Sequence, residues 1–317
     1  MTELKNLLHV ELDESLFLQL YPQWTGTKLK ITTLTGGITN KLYRIQSEKG
    51  DLVLRIYGEK TELFINRDYE ADAIKKMADL DISPKLVKYM PDKNVTIVEY
   101  ITGSYTLKNE DFLIKNLHEK ITNPIRRIHQ SKVTFPKIFN PMIEVKKMAK
   151  ILSDLNVDYP EFDIKPTIHS LENLNQDINI PENEYTACHN DLLADNFILN
   201  QDKKQAGFEE SMYIIDWEYA GMAPKYYDIA DMFQEILVPR QVEKSLVEQY
   251  CEFTEIDKHI YLIDMYKPFP DIYWFLWSLI QHNISKIKFD FYAYGKVKYE
   301  NAQKNLQYLR DNYNARI

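Results

Sequence analysis

Cysteine is scarce in this chain: Cys188 and Cys251 are the only two among 317 residues. Two cysteines cannot staple a fold of this size, and with no CxxC pair and no Cys/His cluster there is no structural zinc site, so a reducing compartment is expected. Long apolar runs are missing too. The longest, around Tyr273 to Ile280, falls far short of the ~18 residues that span a bilayer. The opening MTELKNLLHVELDESLF lacks the basic start and apolar core of a secretory signal, which makes a cytoplasmic location the expectation. Positive charge is in deficit. The 47 acidic and 39 basic residues leave a formal charge of -8, which argues against a dedicated nucleic-acid or anionic-membrane binder and permits a cationic small-molecule partner. There is no GxGxxG, no Walker sequence, no internal repeat and no low-complexity tract.

What is present reads as a globular chain, 44% hydrophobic and 27% charged, with aromatics at 13%, enough to suggest ring surfaces beyond core filling. Short β-favouring runs, KLKITTL, NKLYRIQ and DLVLRIYG, are separated by Gly36-Gly37 and by Lys49-Gly50-Asp51, which suit tight turns. The stretch NRDYEADAIKKMADL spaces Tyr69, Ala73, Ile74, Met77 and Leu80 as one apolar helix face. Ser83-Pro84 ends it, and KLVKYM and NVTIVEYI follow as two strands. After Gly103 the runs are longer and helical: DFLIKNLHEKITNPIRRIHQ, FPDIYWFLWSLIQHNISKIKF and GKVKYENAQKNLQYLRDN. Between them NFILN and MYIIDW form a hairpin across the polar QDKKQAGFEES. The expected fold class is α+β and bilobal, with a small β-rich lobe over residues 1–102 and a larger, mainly helical lobe over 103–317.

The strongest chemical signal is HNDLLADN. It sets Asp191 two places after His189 and Asn196 five places after Asp191, the H-x-D-x-x-x-x-N pattern of phosphotransfer loops. One carboxylate must take or orient a hydroxyl proton while a nearby amide oxygen helps hold magnesium, so both must project from one short loop. Taken alone, the octapeptide also reads as a polar turn. Asp216 follows the apolar strand MYII and opens DWEYAG, the place for a second metal-binding carboxylate. Trp217 and Glu218 stand where a DFG motif has Phe and Gly, so the protein-kinase activation switch is not expected. TGGITNKLYRI offers Gly36, Gly37, Thr39 and Asn40 as a nucleotide-covering turn, and fits an ordinary hairpin equally well. Arg55 on LVLRIYG and Glu70 on the next helix suit a phosphate-facing cation and its ion-pair partner. Glu99 and Ile101, at the end of NVTIVEYI, are assigned to the nucleotide as well.

In this order, GGITNKLYRI, LVLRIYG, HNDLLADN, IIDWEYAG and WFLWSLIQHNISKIKFDFYAYG resemble the choline/ethanolamine kinase family, from about Thr35 to about Tyr299. The resemblance implies a protein-kinase-like fold, ATP and magnesium (Mg2+), and phosphorylation of choline or ethanolamine, with an aminoglycoside-type phosphotransferase as the alternative. It makes Asp191 the catalytic base, Asn196 and Asp216 the metal ligands, and Arg55 a phosphate contact. It puts Tyr219 and Glu235 near the alcohol, and Trp274, Trp277 and Tyr294 around the ammonium, whose charge the ring faces stabilise. Without that context a Trp-x-x-Trp at helical spacing is core packing. Two departures stand out: Leu193 occupies a position that is polar in many members, and no aromatic lies near Pro239-Arg240. Some segments lean toward ethanolamine-preferring members, others toward bacterial choline kinases. The implied partner is a small molecule, with no nucleic acid and no membrane insertion, and a homodimer is compatible with it. Cys188 is expected to be a small buried residue.

Overall fold

Alternating apolar and polar residues along KLYRIQS and GDLVLRI give strands that bury one face. A computed structural model describes residues 7, 11–34, 40–58, 64–201 and 211–315. In it, β1 (Lys30–Leu34), β2 (Lys41–Ser47), β3 (Gly50–Ile56), β4 (Leu86–Met90) and β5 (Val95–Glu99) form an antiparallel sheet in the order β1-β2-β3-β5-β4. Tyr43 and Ile45 of β2, Leu52, Leu54 and Ile56 of β3, and Val95 and Ile97 of β5 point to a common core. Phe17 and Leu20 of α1 (Glu14–Leu20) and Trp24 complete it.

The helix after β3, α2 (Arg67–Asp79), starts at Asn66, whose side-chain oxygen accepts from the backbone N–H groups of Asp68 and Tyr69. Its buried face is Glu70, Ala71, Ala73, Ile74 and Met77. This corrects the expected face: Tyr69 is 39% exposed and Glu70 is 1% exposed. The sequence places Tyr69 inside on apolarity, but the buried i, i+3, i+4, i+7 stripe begins one residue later, where Glu70 meets two guanidinium groups.

Beyond β6 (Ser104–Thr106), the stretch expected as one long helix from Asp111 breaks up. Asn109–Leu113 and Lys115–Leu117 are 3-10 turns, and α3 spans only His118–Gln130. Asp111 accepts from the Lys108 N–H at 2.8 Å, a local bond that competes with the helical ladder, while Leu113 and Ile114 are left exposed. There follow α4 (Pro141–Asp154), α5 (Ile164–Ile178) and β7 (Thr186–Cys188), then β8 (Phe197–Asn200) and β9 (Ser211–Ile214). After β10 (Gly221–Ala223) come α6 (Lys225–Ile236), α7 (Arg240–Tyr250), α8 (Ile256–Tyr266), α9 (Pro268–Ile284) and α10 (Phe291–Tyr313). Every residue of α9 from Pro268 to Ile280 is buried, as expected of a helix apolar on all sides. It packs on α10 at Gly295, where a Cβ would lie 1.9 Å from Ser278 Oγ.

The chain divides into two units, Met1–Leu107 with Asp195–Tyr219, and Lys108–Ala194 with Ala220–Ile317. The sequence boundary at 102/103 counts the β8–β9 hairpin with the second lobe, whereas here it packs in the first unit. Sheet order β6-β8-β9 and bonds from Ile214 N–H to Ile82 O at 2.7 Å and from Tyr213 OH to Asp81 at 3.0 Å hold it there. Among the described residues no helix is long and apolar enough to cross a membrane.

Candidate active site

The candidate residues fall into two constellations, one in each unit. In the first, two arginines alternate with three carboxylates. Arg55 Nη1 on β3 donates to Glu70 Oε1 at 2.5 Å, and its Nη2 donates to Asp216 Oδ1. Arg67 Nη1 donates to Glu70 Oε2 at 2.7 Å and to Glu218 Oε2 at 2.8 Å, with its guanidinium 3.9 Å over the Tyr57 ring. Burial works against the Arg55 charge, but Asp216 and Glu70 outweigh it and hold its pKa well above the usual value. Burial, and then Asp216, push the Glu218 carboxyl up to about 7 despite both arginines. Carboxylate oxygens of Glu70, Asp216 and Glu218 lie within 4.8 Å of one another, a hard-oxygen set of the kind magnesium accepts.

Asp216 has φ +69°, the left-handed region that costs a non-glycine residue about 1–3 kcal/mol. The turn around it supports that conformation: Ile215 N–H donates to Asn196 O at 3.0 Å, and Trp217 Nε1 reaches Ile214 O at 3.1 Å and Ser83 Oγ at 3.2 Å. The first tie links the backbones at the two expected metal ligands, Asn196 and Asp216. Asn40 Oδ1 accepts from Gly58 N–H at 3.2 Å. Gly36, Gly37 and Thr39 lie outside the described residues. Glu99 is exposed at the end of β5, Ile101 is half-buried, and Tyr219 is buried within this unit.

The second constellation is built around α6. β7 pairs with β10 and delivers the chain, through the buried Cys188, into His189-Asn190-Asp191. Asp228 accepts from His189 N–H at 3.0 Å and from Asn190 N–H at 2.7 Å, and His129 Nε2 bonds its Oδ2 at 2.9 Å. Burial alone would raise the Asp228 pKa, yet these bonds and the nearby histidines hold it below the usual carboxylate value. One turn on, Asp231 Oδ2 accepts from Leu192 N–H at 2.8 Å. Asp191, 8% exposed, is thus flanked by backbone amides clamped from α6.

Asp231 Oδ1 also accepts from Trp274 Nε1 at 2.8 Å. Burial and neighbouring Glu235 raise the Asp231 pKa well above normal, with the Trp274 and Leu192 bonds pulling the other way. Trp274 meets Trp277 edge-on at 5.6 Å. The ring series continues through Phe291, at 5.6 Å from Trp277, and Phe289 to Tyr294, at 6.0 Å. Tyr294 OH donates to Glu235 Oε1 at 3.2 Å. Trp274 and Trp277 therefore serve as core and also belong to a ring series that ends on a carboxylate. The sequence reading brought together Asp191, Glu235, Trp274, Trp277 and Tyr294, and missed Asp228, Asp231, Phe289, Phe291 and Lys298. The 3-then-4 spacing of acids in DIADMFQE was the available signal, since it puts Asp228, Asp231 and Glu235 on one helix face.

Comparison with known proteins follows the same lines. The family model described as choline/ethanolamine kinase matches residues 31–253. A probable ethanolamine kinase of Arabidopsis thaliana is 26% identical, over 93% of this chain and 81% of its own. The crystal structure of a choline/ethanolamine kinase family protein from Mesorhizobium loti superposes with a TM-score of 0.77 at 27% identity, covering 92% of each chain. A spectinomycin phosphotransferase, solved with ADP and spectinomycin, shares the fold at a TM-score of 0.60 and 18% identity, covering 91% of this chain and 98% of its own. The fold is the α+β, protein-kinase-like one.

Proposed function

Because the chain belongs to the choline/ethanolamine kinase family, we propose that it transfers the γ-phosphoryl group of ATP to the hydroxyl of choline or ethanolamine. The observation that carries the reading is the clamped HNDLL segment: Asp228 and Asp231 bond the amides on both sides of Asp191, the preorganisation a proton-accepting carboxylate requires. Asp191 orients the substrate hydroxyl and takes its proton. Asn196 and Asp216 would hold magnesium, with Glu70 and Glu218 adjacent to Asp216. Magnesium, if held there, would offset the negative charge of the phosphates. Arg55, kept in place by Glu70, supplies a fixed cation toward the phosphates. Trp274, Trp277 and Tyr294 receive the ammonium group, with Glu235 and Tyr219 contributing near the alcohol.

The test is a phosphate-transfer assay with ATP and magnesium against choline, ethanolamine, aminoglycosides and a peptide panel. Turnover on the amino alcohols is expected, and loss of turnover with retained nucleotide binding in Asp191→Ala. Transfer to aminoglycosides alone would replace this reading with the alternative, and full activity of Asp191→Ala would remove that residue from the mechanism.

A further inference from the structure

The carboxylate at the end of the ring series already has a cation. Lys298 Nζ contacts Glu235 Oε1 at 2.5 Å, donates to Gln234 O at 2.8 Å and lies 5.5 Å from the Tyr294 ring centroid. Lys298 is only 4% exposed. We infer that Lys298 determines specificity here: by engaging Glu235 it leaves the ring series beside it suited to a quaternary ammonium, so that choline is preferred over ethanolamine. The inference rests on the kinase reading above.

The argument is one of hydrogen-bond supply. A primary ammonium brings three N–H donors, and burying them without acceptors is costly. A trimethylammonium has none, and ring faces and diffuse negative charge suffice for it. Glu235, Asp231 and Asp271, on the helices that carry the rings or face them, each take bonds from within the protein. Glu235 Oε1 accepts from both Lys298 and Tyr294 OH. The two oxygens of Asp231 accept from Trp274 and Leu192. Asp271, fully buried, accepts from Asn305 at 3.0 Å; its other oxygen has no partner among the described residues, and burial favours its protonated form. Lys298 itself stays charged, since its pairing with Glu235 outweighs the cost of its burial. With Asp231 bonded at both oxygens and Glu235 neutralised by Lys298, ring surface is the larger part of what is left for a ligand.

Replacing the lysine should reverse the balance, because an unpaired Glu235 then calls for a cation that donates hydrogen bonds. In Lys298→Met the choline-to-ethanolamine ratio of kcat/KM should fall by about tenfold or more, the scale of one charge-assisted hydrogen bond, while Lys298→Arg keeps the preference. A second measurement needs no substitution: on the unaltered protein, tetramethylammonium should compete with choline far better than methylammonium does. A ratio unchanged in a folded Lys298→Met protein, or tighter binding of methylammonium, would overturn the inference alone. Transfer to neither amino alcohol by the unaltered protein would overturn the kinase reading and this with it.

Discussion

Asp228 and Asn190 are joined by a 2.7 Å bond from the Asn190 N–H to Asp228 Oδ1, made where Asn190 adopts a left-handed conformation at φ +65°. The carboxylate thereby holds a left-handed residue immediately before Asp191, the proposed proton acceptor. Asp228→Asn should cost about 2–4 kcal/mol of stability, because a buried amide replaces an acceptor that serves His189, Asn190 and His129 at once. Denaturant melts measure it. The pH dependence has a definite sign. Since the folded carboxyl titrates below its unfolded value, its contribution is complete above the unfolded pKa of ~4 and is lost as pH falls through the folded one. The gap between the natural protein and Asp228→Asn should therefore narrow on acidification; a gap constant down to low pH would contradict the assignment.

Asp216→Asn should raise the magnesium concentration needed for half-maximal rate by about tenfold and lower turnover, since a hard divalent cation favours an anionic oxygen. Initial rates over a magnesium titration decide the matter. The bond between Arg55 and Glu70 remains in that variant, so nucleotide binding measured without metal should change little.

Trp277→Leu keeps apolar bulk and removes the ring face. The Michaelis constant for choline should rise by about tenfold, on the scale of a desolvated cation-π contact, with a smaller rise for ethanolamine and the constant for ATP unchanged. Equal losses for both amino alcohols would return Trp277 to a purely structural role against Trp274 and Phe291.

Gly295→Ala should destabilise the protein by about 3 kcal/mol, because its new methyl would meet Ser278 Oγ at the closest approach of α9 and α10 and packed helices yield little. Adding Ser278→Gly should recover much of that loss. Thermal melts of the single and double variants give the answer, and no recovery would mean that the clash lies elsewhere, as at Phe275 O, 3.4 Å away.

Residues whose chemistry depends on short spacing were readable in the chain. HNDLLADN and the later Asp216 declare themselves because one loop and one strand end suffice to present them, and Arg55 with Glu70 because a strand followed directly by its helix limits where the two can meet. Long-range packing was not readable. Lys298 sits in KVKYENAQK, which has the look of a solvated helix face, and is buried only because Glu235 arrives from another helix. Asp228 shows its use only once the loop it holds is in place. Glu70 lost its buried position to Tyr69 in the reading because apolarity, the usual guide, points away from a carboxylate that two arginines draw inward.

Asp228, Asp231 and Glu235 ride on the single rod of α6, two turns from end to end. A residue added or removed between Asp228 and Glu235 would swing everything beyond it by about 100°, parting Glu235 from Tyr294 and Lys298 while the grip on His189 and Asn190 stayed. Change within that stretch is therefore confined to substitution. Past Ile236 the constraint lifts: α6 ends on Leu237, in the left-handed region and 56% exposed, and there the chain can lengthen without disturbing either end of the rod.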